Sequence, residues 1–464
     1  MRDFNQGPVG RLLLQVAGTF LISSLANTVF SLANIFWVGQ LGSHAQAALT
    51  MAGNPIMVVL ALAPVVSAGA GVLIAQAVGA RDHARAERIF NEAVGLSLGA
   101  AMLVCTVLWL CRNAFGAALS ADPETARMFA AYFRWVVCAM VLQVPLTVMA
   151  GTLGAIGDLR ASVWQQTASI ALRLAATPVL MFGWLGFPRL GVEGAGIAGL
   201  ASAVFSAISL CLYFARDRSF LHLRPARWLA WPRTLWPVLR IGLPVSIETA
   251  VGGLYLLLIT VLLRPYGPVA QAGFGIGQRL FMTGMLPITL LTGAGSMLIA
   301  HAYGARLGAR IQVCFRTGLG YAFVFALLLF VAFERGAGPL CGLFSKDPVT
   351  LSYAVDFLHI GAFGLFPVIV VFGCYGLLSG MGNTLAGLIV TSSHALLVAV
   401  LSLWLAHSGA MTPDRLWILL LATGVVQMVM ALAFARSEFR KRFPAVEPDV
   451  AMTLQQTPAP GDSQ

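Results

Sequence analysis

Residues 73–85, LIAQAVGARDHAR, return as LIAHAYGARLGAR at residues 298–310, with nine of the thirteen positions identical. The same shift of 225 positions carries Gly42, Ala45, Gln46 and Ala47 onto Gly267, Ala270, Gln271 and Ala272. It also carries Ser120, Asp122, Pro123 and Thr125 onto Ser345, Asp347, Pro348 and Thr350, and Gly157 onto Gly382. Composition alone gives about one or two such matches in a window of that length, so the chain is one unit written twice. A period this long excludes a solenoid of small repeats and predicts two fused lobes with a common fold.

Hydropathy decides what those lobes are made of. The chain is 58% hydrophobic and 10% charged, with a mean hydropathy of +0.84, outside the range of soluble domains. A helix needs roughly 20 apolar residues to cross the hydrocarbon core of a bilayer. Six such runs fall in the first lobe, near 12–37, 47–75, 88–111, 126–150, 161–183 and 192–215. Six more follow, near 236–263, 269–300, 313–333, 349–380, 385–406 and 413–436. A membrane barrel reads as short alternating segments, which these long continuous runs are not. The expected fold is therefore an all-α integral membrane protein, with twelve transmembrane helices in two pseudo-symmetric six-helix lobes. The expected organisation is an N-terminal lobe over 1–215, a cytoplasmic linker over 216–235, a C-terminal lobe over 236–437 and a disordered cytoplasmic tail over 438–464. The opening MRDFNQGPVGRLLLQVAG lacks a small-residue cleavage site and its apolar run is too long for a secretory signal, so it reads as a retained helix.

A net charge of +11 invites a nucleic-acid reading, which its distribution argues against. With both termini placed inside, 19 of the 29 Lys and Arg residues fall on inner segments and 7 on outer loops; Arg134, Arg173 and Arg279 lie within helices. That asymmetry is the positive-inside rule, and it predicts a multi-pass membrane protein with both termini cytoplasmic; the membrane expected is a bacterial plasma (inner) membrane. The basicity is topological, and no nucleic-acid partner is expected. The linker, ARDRSFLHLRPARWLAWPRTLWP, interleaves arginines with tryptophans in the manner of a segment lying at headgroup level. The seven cysteines show no CxxC and no histidine partner, so they read as packing residues; neither a metal site nor a cofactor is expected. The expected partners are the lipid bilayer and a small-molecule substrate, with the single chain functional as a monomer.

Six is an even number, so the second lobe enters the membrane in the same direction as the first. Repeats of this kind are related by a pseudo-two-fold axis along the membrane normal, the architecture of alternating-access transporters. Prolines inside the runs (Pro55, Pro64, Pro145, Pro178, Pro244, Pro287, Pro367) and 48 glycines permit kinks and close helix approach.

The segments SLANIFWVGQLGSHAQAAL, QAVGARDHARA, LGAIGDLRA and TPVLMFGWLGFPRLGVEGAGIAG resemble the multidrug and toxic compound extrusion (MATE) family. In the second lobe RIGLPVSIE, AGFGIGQRL, AHAYGARLGA and LLSGMGNT fit the same pattern, so the resemblance covers about residues 10–435 in order. A major-facilitator protein also has two six-helix lobes, but GARDHARAER departs from its GxxxDRxGRR loop. The resemblance implies a secondary active antiporter that exports an amphipathic organic compound, typically cationic, in exchange for H⁺ or Na⁺.

An ionisable group deep in a bilayer is by default a functional hypothesis. Among the acids Glu248 qualifies, about one turn beyond Pro244, as a proton or cation site; a structural ion pair or a helix hydrogen bond is the plainer reading. Many family members place this glutamate about a turn further on, where this chain has Gly252. Arg173 lies some 12 residues into the fifth apolar run, about 18 Å along the axis, beyond full reach of water by snorkelling. In the family pattern LNxxLDP its column is often Asn, with Asp four residues later; here LRLAATP gives Arg173 and Thr177. The column that commonly holds an essential aspartate is Asn34. All three departures remove negative charge or add positive charge, which speaks against a carboxylate cation site in the first lobe. Arg173 has three readings: pairing with Glu248, binding an anionic group of the substrate, or packing against backbone carbonyls. Asn27 and Asn34 share a helix face, and with Gln143 and Tyr255 they are further polar candidates. Each has the plainer reading of a helix-to-helix hydrogen bond. Arg279 sits in the repeat column of Asn54 and reads as structural. Asp158 and Asp82, with Arg160 and Arg85, fall at inner turns and read as helix caps or inner gates.

An intramembrane enzyme needs a nucleophile and base, but GAGSML and LLSGMG lack a GxSxG setting and no HExxH occurs, so catalysis is not expected. A passive channel is disfavoured by the lack of a charged ring. The rival is a flippase or exporter for an anionic metabolite or lipid-linked saccharide, in which buried arginines hold pyrophosphate.

Overall fold

The computed structural model describes residues 4–119, 122–216, 220–228 and 232–444. Thirteen α-helices follow one another. In the first half they are α1 (Val9–Gly39), α2 (Ser43–Gly79), α3 (His83–Leu110), the short α4 (Arg112–Leu119), α5 (Pro123–Ala155), α6 (Leu159–Phe182) and α7 (Val192–Ala215). In the second they are α8 (Pro232–Leu262), α9 (Gly267–Gly304), α10 (Gly308–Gly342), α11 (Pro348–Gly380), α12 (Thr384–His407) and α13 (Pro413–Arg442). All but α4 are long enough to cross a bilayer, so the described residues hold the twelve expected spans, six in each half. The helices overrun the apolar runs by up to several residues, because polar first turns such as HARAER at the start of α3 carry the helix beyond the hydrocarbon. The tail expected to be disordered over 438–464 is instead helical as far as Arg442, because the last turns of α13 stay helical past the apolar run; the residues from 445 onward lie outside the described residues.

The repeat is written into the backbone as well as the letters. Helices α5 and α11 are both 33 residues long and α6 and α12 both 24, and each pair begins and ends at positions related by the shift. Asp122 and Asp347 cap α5 and α11 by accepting from the amides of Thr125 and Thr350, each at 2.9 Å. Asp158 and Asn383 cap α6 and α12 in the same way, accepting from Ala161 and Ala386. A side-chain oxygen at the N-cap satisfies an amide that the helix itself cannot. Gly157 and Gly382 both turn through φ of 80°, a left-handed conformation that glycine alone adopts without strain. Arg81 and Arg306 are also left-handed, at 61° and 58°, so the two halves share even a locally costly turn.

The chain packs as two compact units. One comprises Gly18–Ser246, and the other comprises Phe4–Ala17 with the chain from Ile247 onward. Each unit therefore includes the opening part of a helix that ends in the other. In the first unit α5 is the central helix, packed by α2, α3 and α7; α11 has that role in the second, with α9, α10 and α13 around it. Within the first unit α8 lies so close to α2 that a Cβ on Gly242 would fall on the carbonyl of Val65, and one on Gly69 would fall on that of Val238. Within the second unit the Arg310 guanidinium donates to the carbonyl of Phe4 at 2.8 Å, fixing the start of α1. All seven cysteines are free, four of them buried, as packing residues would be.

Two outcomes follow. Gly242→Val is expected to lower the melting temperature sharply or prevent recovery of monodisperse protein, whereas Gly253→Val on the same helix, with open space at its Cβ, is tolerated; equal stability of both would show that the close contact does not constrain packing. The second concerns Asp122, whose carboxyl is held down at about 2 by the hydroxyl and then the amide of Thr125. A depressed folded-state value stabilises the protein above the ordinary 3.8 and is lost as pH falls through about 2. The melting-temperature gap between the protein and Asp122→Asn should be full at neutral pH and close between those two values.

Candidate functional site

Polar side chains in the middle of apolar helices need partners inside the protein, and both units gather theirs into one place. In the first unit a cavity of about 320 Å³ opens between α1, α5, α6 and α7. Arg173 is the only charged side chain among its described lining residues. The rest of its polar wall consists of amides (Asn27, Gln143, Gln165, Gln166) and hydroxyls. Spacing explains the convergence: Gln165, Ser169 and Arg173 fall at intervals of four along α6, and Ser202 and Ser206 do so along α7. Ser169 and Ser202 are 2.8 Å apart, the Ser206 hydroxyl donates to Ser169 at 2.7 Å, and Ser202 donates to the Ser169 carbonyl, so α6 and α7 are joined along the wall.

Arg173 is positioned rather than neutralised. Its guanidinium lies over the ring of Phe30 at 4.5 Å. A Cβ on Gly199 would stand 3.5 Å from it, in ordinary contact, so a side chain larger than alanine there would press on the guanidinium. No carboxylate pairs with Arg173 among the described residues, and its buried Nε has no hydrogen-bond partner. Such a group is costly to bury without a hydrogen-bond acceptor, and an anionic oxygen is the kind of acceptor that would satisfy it. Thr177 is turned away from this task, since it is buried and its hydroxyl donates to the Arg173 carbonyl. Asn27 lines the cavity and donates to the Ser23 carbonyl at 3.1 Å. Asn34 is half-buried further along α1 and is not part of the cavity wall.

In the second unit Glu248 is half-buried and accepts a hydrogen bond from the Thr391 hydroxyl at 3.2 Å. Thr391 and the Tyr375 hydroxyl are 2.7 Å apart, and the Gln427 amide donates to Tyr375 at 3.1 Å. Gly387 lies against the carboxylate, where a Cβ would be 3.5 Å from Oε2. Tyr255, two turns beyond Glu248 on α8, has its ring 5.6 Å from and tilted at 39° to that of His394 on α12, whose buried Nε2 has no hydrogen-bond partner.

The shift of 225 positions unites the two sites. Glu248, Tyr255, Gly387, Thr391, His394 and Gln427 occupy the columns of Ser23, Phe30, Ser162, Gln166, Ser169 and Ser202, all of which line the first-unit cavity. The same columns thus carry a polar cluster in both units, once around a cation and once around a carboxylate. Arg173 itself has no polar counterpart, its column being the buried Val398. Sequence reading missed Thr391, Tyr375, Gln427 and His394, and applying the repeat to the lining columns is the signal that finds them.

The remaining candidates are peripheral. Asp82 accepts from the amide of Arg85 and caps α3. Asp158 caps α6 and accepts from the Tyr213 hydroxyl. Arg279 is exposed on α9, its carbonyl accepting from Thr283; the side chain of Asn54 lies outside the described residues.

The MatE family model matches residues 20–179 and 244–404, one segment in each half. The chain belongs to the MATE family. Members are transport proteins of the membrane, and the bacterial relatives fit that description. The FAD transporter of Shewanella oneidensis is 26% identical over 429 residues, covering 92% of this chain and 93% of that protein. The multidrug export protein MepA of Staphylococcus aureus is 23% identical over 444 residues, covering 94% and 92%. Among solved structures, an outward-facing multidrug resistance MATE transporter matches with a TM-score of 0.83 at 20% identity, covering 95% of this chain and 98% of that one. A MOP-superfamily transporter from Pyrococcus furiosus, described as having a binding pocket of reversed polarity, matches with the same score and coverage. These structures confirm the fold of this MATE protein: twelve transmembrane helices in two lobes.

Gly199→Leu is expected to displace the Arg173 guanidinium and reduce export of a transported compound about as far as Arg173→Gln, with little change in melting temperature. Gly199→Ala should be close to neutral. Full transport by Gly199→Leu would mean that the position of Arg173 is not critical.

Proposed function

We propose that this MATE transporter exports an anionic, hydrogen-bond-rich organic compound by alternating access, with H⁺ entering through Glu248 as the coupling ion. The observation that carries the reading is Arg173: a half-buried guanidinium without a carboxylate, in a cavity walled by neutral amides and hydroxyls. A phosphate or carboxylate on the substrate supplies the acceptor that Arg173 lacks, and the amides recognise a polar heterocycle. FAD, which names the Shewanella relative, has this chemistry in its pyrophosphate and ring systems. Glu248 suits proton coupling because its partner is a hydroxyl, which can donate to the carboxylate and accept from the neutral acid, so neither state leaves a group unpaired. In this reading Arg173 selects and Glu248 couples; each has its described contacts within its own unit.

A second reading is favoured by Glu248 itself. A carboxylate with the Tyr375 ring near it, and Tyr255 two turns along the same helix, is a setting for an organic cation, and MepA is named for multidrug export.

The test is uptake into inside-out vesicles under an imposed pH gradient or Na⁺ gradient, comparing labelled FAD with ethidium. The expected result is FAD uptake driven by the pH gradient alone, reduced about ten- to a hundredfold in Arg173→Gln, the range for a lost charged hydrogen bond. Glu248→Gln should abolish gradient-driven uptake while leaving FAD exchange at equal pH. Ethidium uptake that is insensitive to Arg173→Gln, without FAD uptake, would overturn the anionic reading in favour of the second. Uptake driven only by Na⁺ would overturn the proton assignment.

A further inference from the structure

Away from the Arg173 and Glu248 sites, the second unit holds a groove of about 890 Å³ between α10 and α13, floored by Leu377 of α11. Its walls are apolar, with Phe315, Leu432 and Phe439 prominent, and its rim carries Arg316, Arg436 and Arg440. All three arginines are exposed, and none is in an ion pair with a carboxylate among the described residues. Gln312, on the same wall, has a buried Oε1 that receives no hydrogen bond.

The repeat shows that this opening is not a necessary product of the fold. In the first unit the corresponding helices α3 and α7 are closed by Phe90 against Phe214, with ring centroids 4.7 Å apart, and these are the columns of Phe315 and Phe439. The segment after α7 then lies over α3. Arg224 pairs with Glu87 at 2.8 Å, its amide donates to Asn91, and the backbone of Trp228 covers Gly95 so closely that no Cβ would fit. In the second unit the column of Gly95 is Gly320, where a Cβ would meet nothing within 4 Å. The chemistry is inverted at the same columns: Glu87 becomes Gln312, Asn91 becomes Arg316, Cys211 becomes Arg436 and Ala215 becomes Arg440. Where the first unit sets one carboxylate against a basic segment of the chain, the described lining of this groove has three guanidiniums and no carboxylate.

We propose that this groove binds an anionic glycerophospholipid of the phosphatidylglycerol type. The phosphate sits among Arg316, Arg436 and Arg440, a headgroup hydroxyl donates to Gln312 Oε1, and the first methylenes of the acyl chains lie on Phe315, Phe439 and Leu432. Open apolar walls with a guanidinium rim match an amphiphile whose charge is at one end, and basic pockets between membrane helices hold acidic headgroups by this means. The groove is at the end of the unit where Arg310 holds the start of α1 and where α13 finishes, the end that the arginine asymmetry assigns to the cytoplasm. One competitor is the chain itself. Residues 445–464 follow Pro444, which lines the groove, and they carry Glu447 and Asp449.

The experiment is lipid retention by native mass spectrometry on the detergent-purified full chain, titrated with phosphatidylglycerol or phosphatidylcholine. The variants are Arg436→Gln, the triple Arg316→Gln/Arg436→Gln/Arg440→Gln, the same triple to lysine, and a chain ending at Pro444. The full chain and the shortened chain should both prefer phosphatidylglycerol. Each arginine contributes about fivefold, so Arg436→Gln should lower that preference about fivefold and the glutamine triple about a hundredfold. The lysine triple, which keeps the charge, should restore most of it and serves as the folding control. An unchanged preference in the glutamine triple or in Arg436→Gln overturns the proposal. Preference that appears only once residues 445–464 are removed assigns the groove to the tail and overturns it as well. Release of the bound lipid by inorganic phosphate alone would show a site for a free anion, again against a lipid.

Discussion

The hydrocarbon of a bilayer offers no hydrogen bond to a peptide group, and the rest of this structure depends on that constraint. Every span has to be a helix that satisfies its own backbone, and each helix end has to reach the interface, where caps such as Asp122, Asp158, Asp347 and Asn383 serve the amides left over. Lipid tails are as apolar as leucine, so the hydrophobic effect does little to draw these helices together. Close approach has to come from small residues, as where Gly69 and Gly242 let α2 and α8 touch backbone to backbone. The same constraint drives mid-helix polar groups inward. Arg173 and Glu248 are each gathered with amides and hydroxyls because there is no other medium for them.

Duplication supplied the scaffold twice, and divergence at a few columns separated the functions. Ser23 in one half is Glu248 in the other, Phe30 is Tyr255, and Val398 stands where Arg173 does. A neutral polar pocket holding one guanidinium and a hydroxyl-rich cluster around one carboxylate are both variants of a single set of columns. The groove between α10 and α13 is a further case, since a wedge closed by the chain in the first unit is open and basic in the second. At the Arg173 and Glu248 sites the helix framework is retained while charge changes, because helix packing is set by small and apolar residues that the substitutions leave alone.

Much of the fold could be read from the letters. Twelve continuous apolar runs, and a repeat that keeps LIAxAxGAR in both halves, allow few arrangements other than two six-helix lobes. The short helix α4 was not foreseen because eight residues are too few to show a periodic pattern. The site was legible only in its charges: a lone arginine and a lone glutamate within long apolar runs stand out. Thr391, Tyr375, Gln427 and His394 did not, since isolated hydroxyls, amides and rings are common in membrane helices and most serve only their own backbone.

By itself the sequence determined the solvent, the number of spans, the duplication and the two ionisable groups, because each of these follows from composition or spacing along one chain. Tertiary structure alone decided which polar residues share a wall, that Thr177 is bonded to its own helix while Asn27 lines the cavity, and that Arg173 faces a ring and a glycine instead of a carboxylate. It also decided that each compact unit takes in the opening part of a helix that ends in the other. Those facts depend on contacts between residues far apart in sequence. Hydropathy reports how much a residue avoids water, but not which neighbour it meets once it has left it.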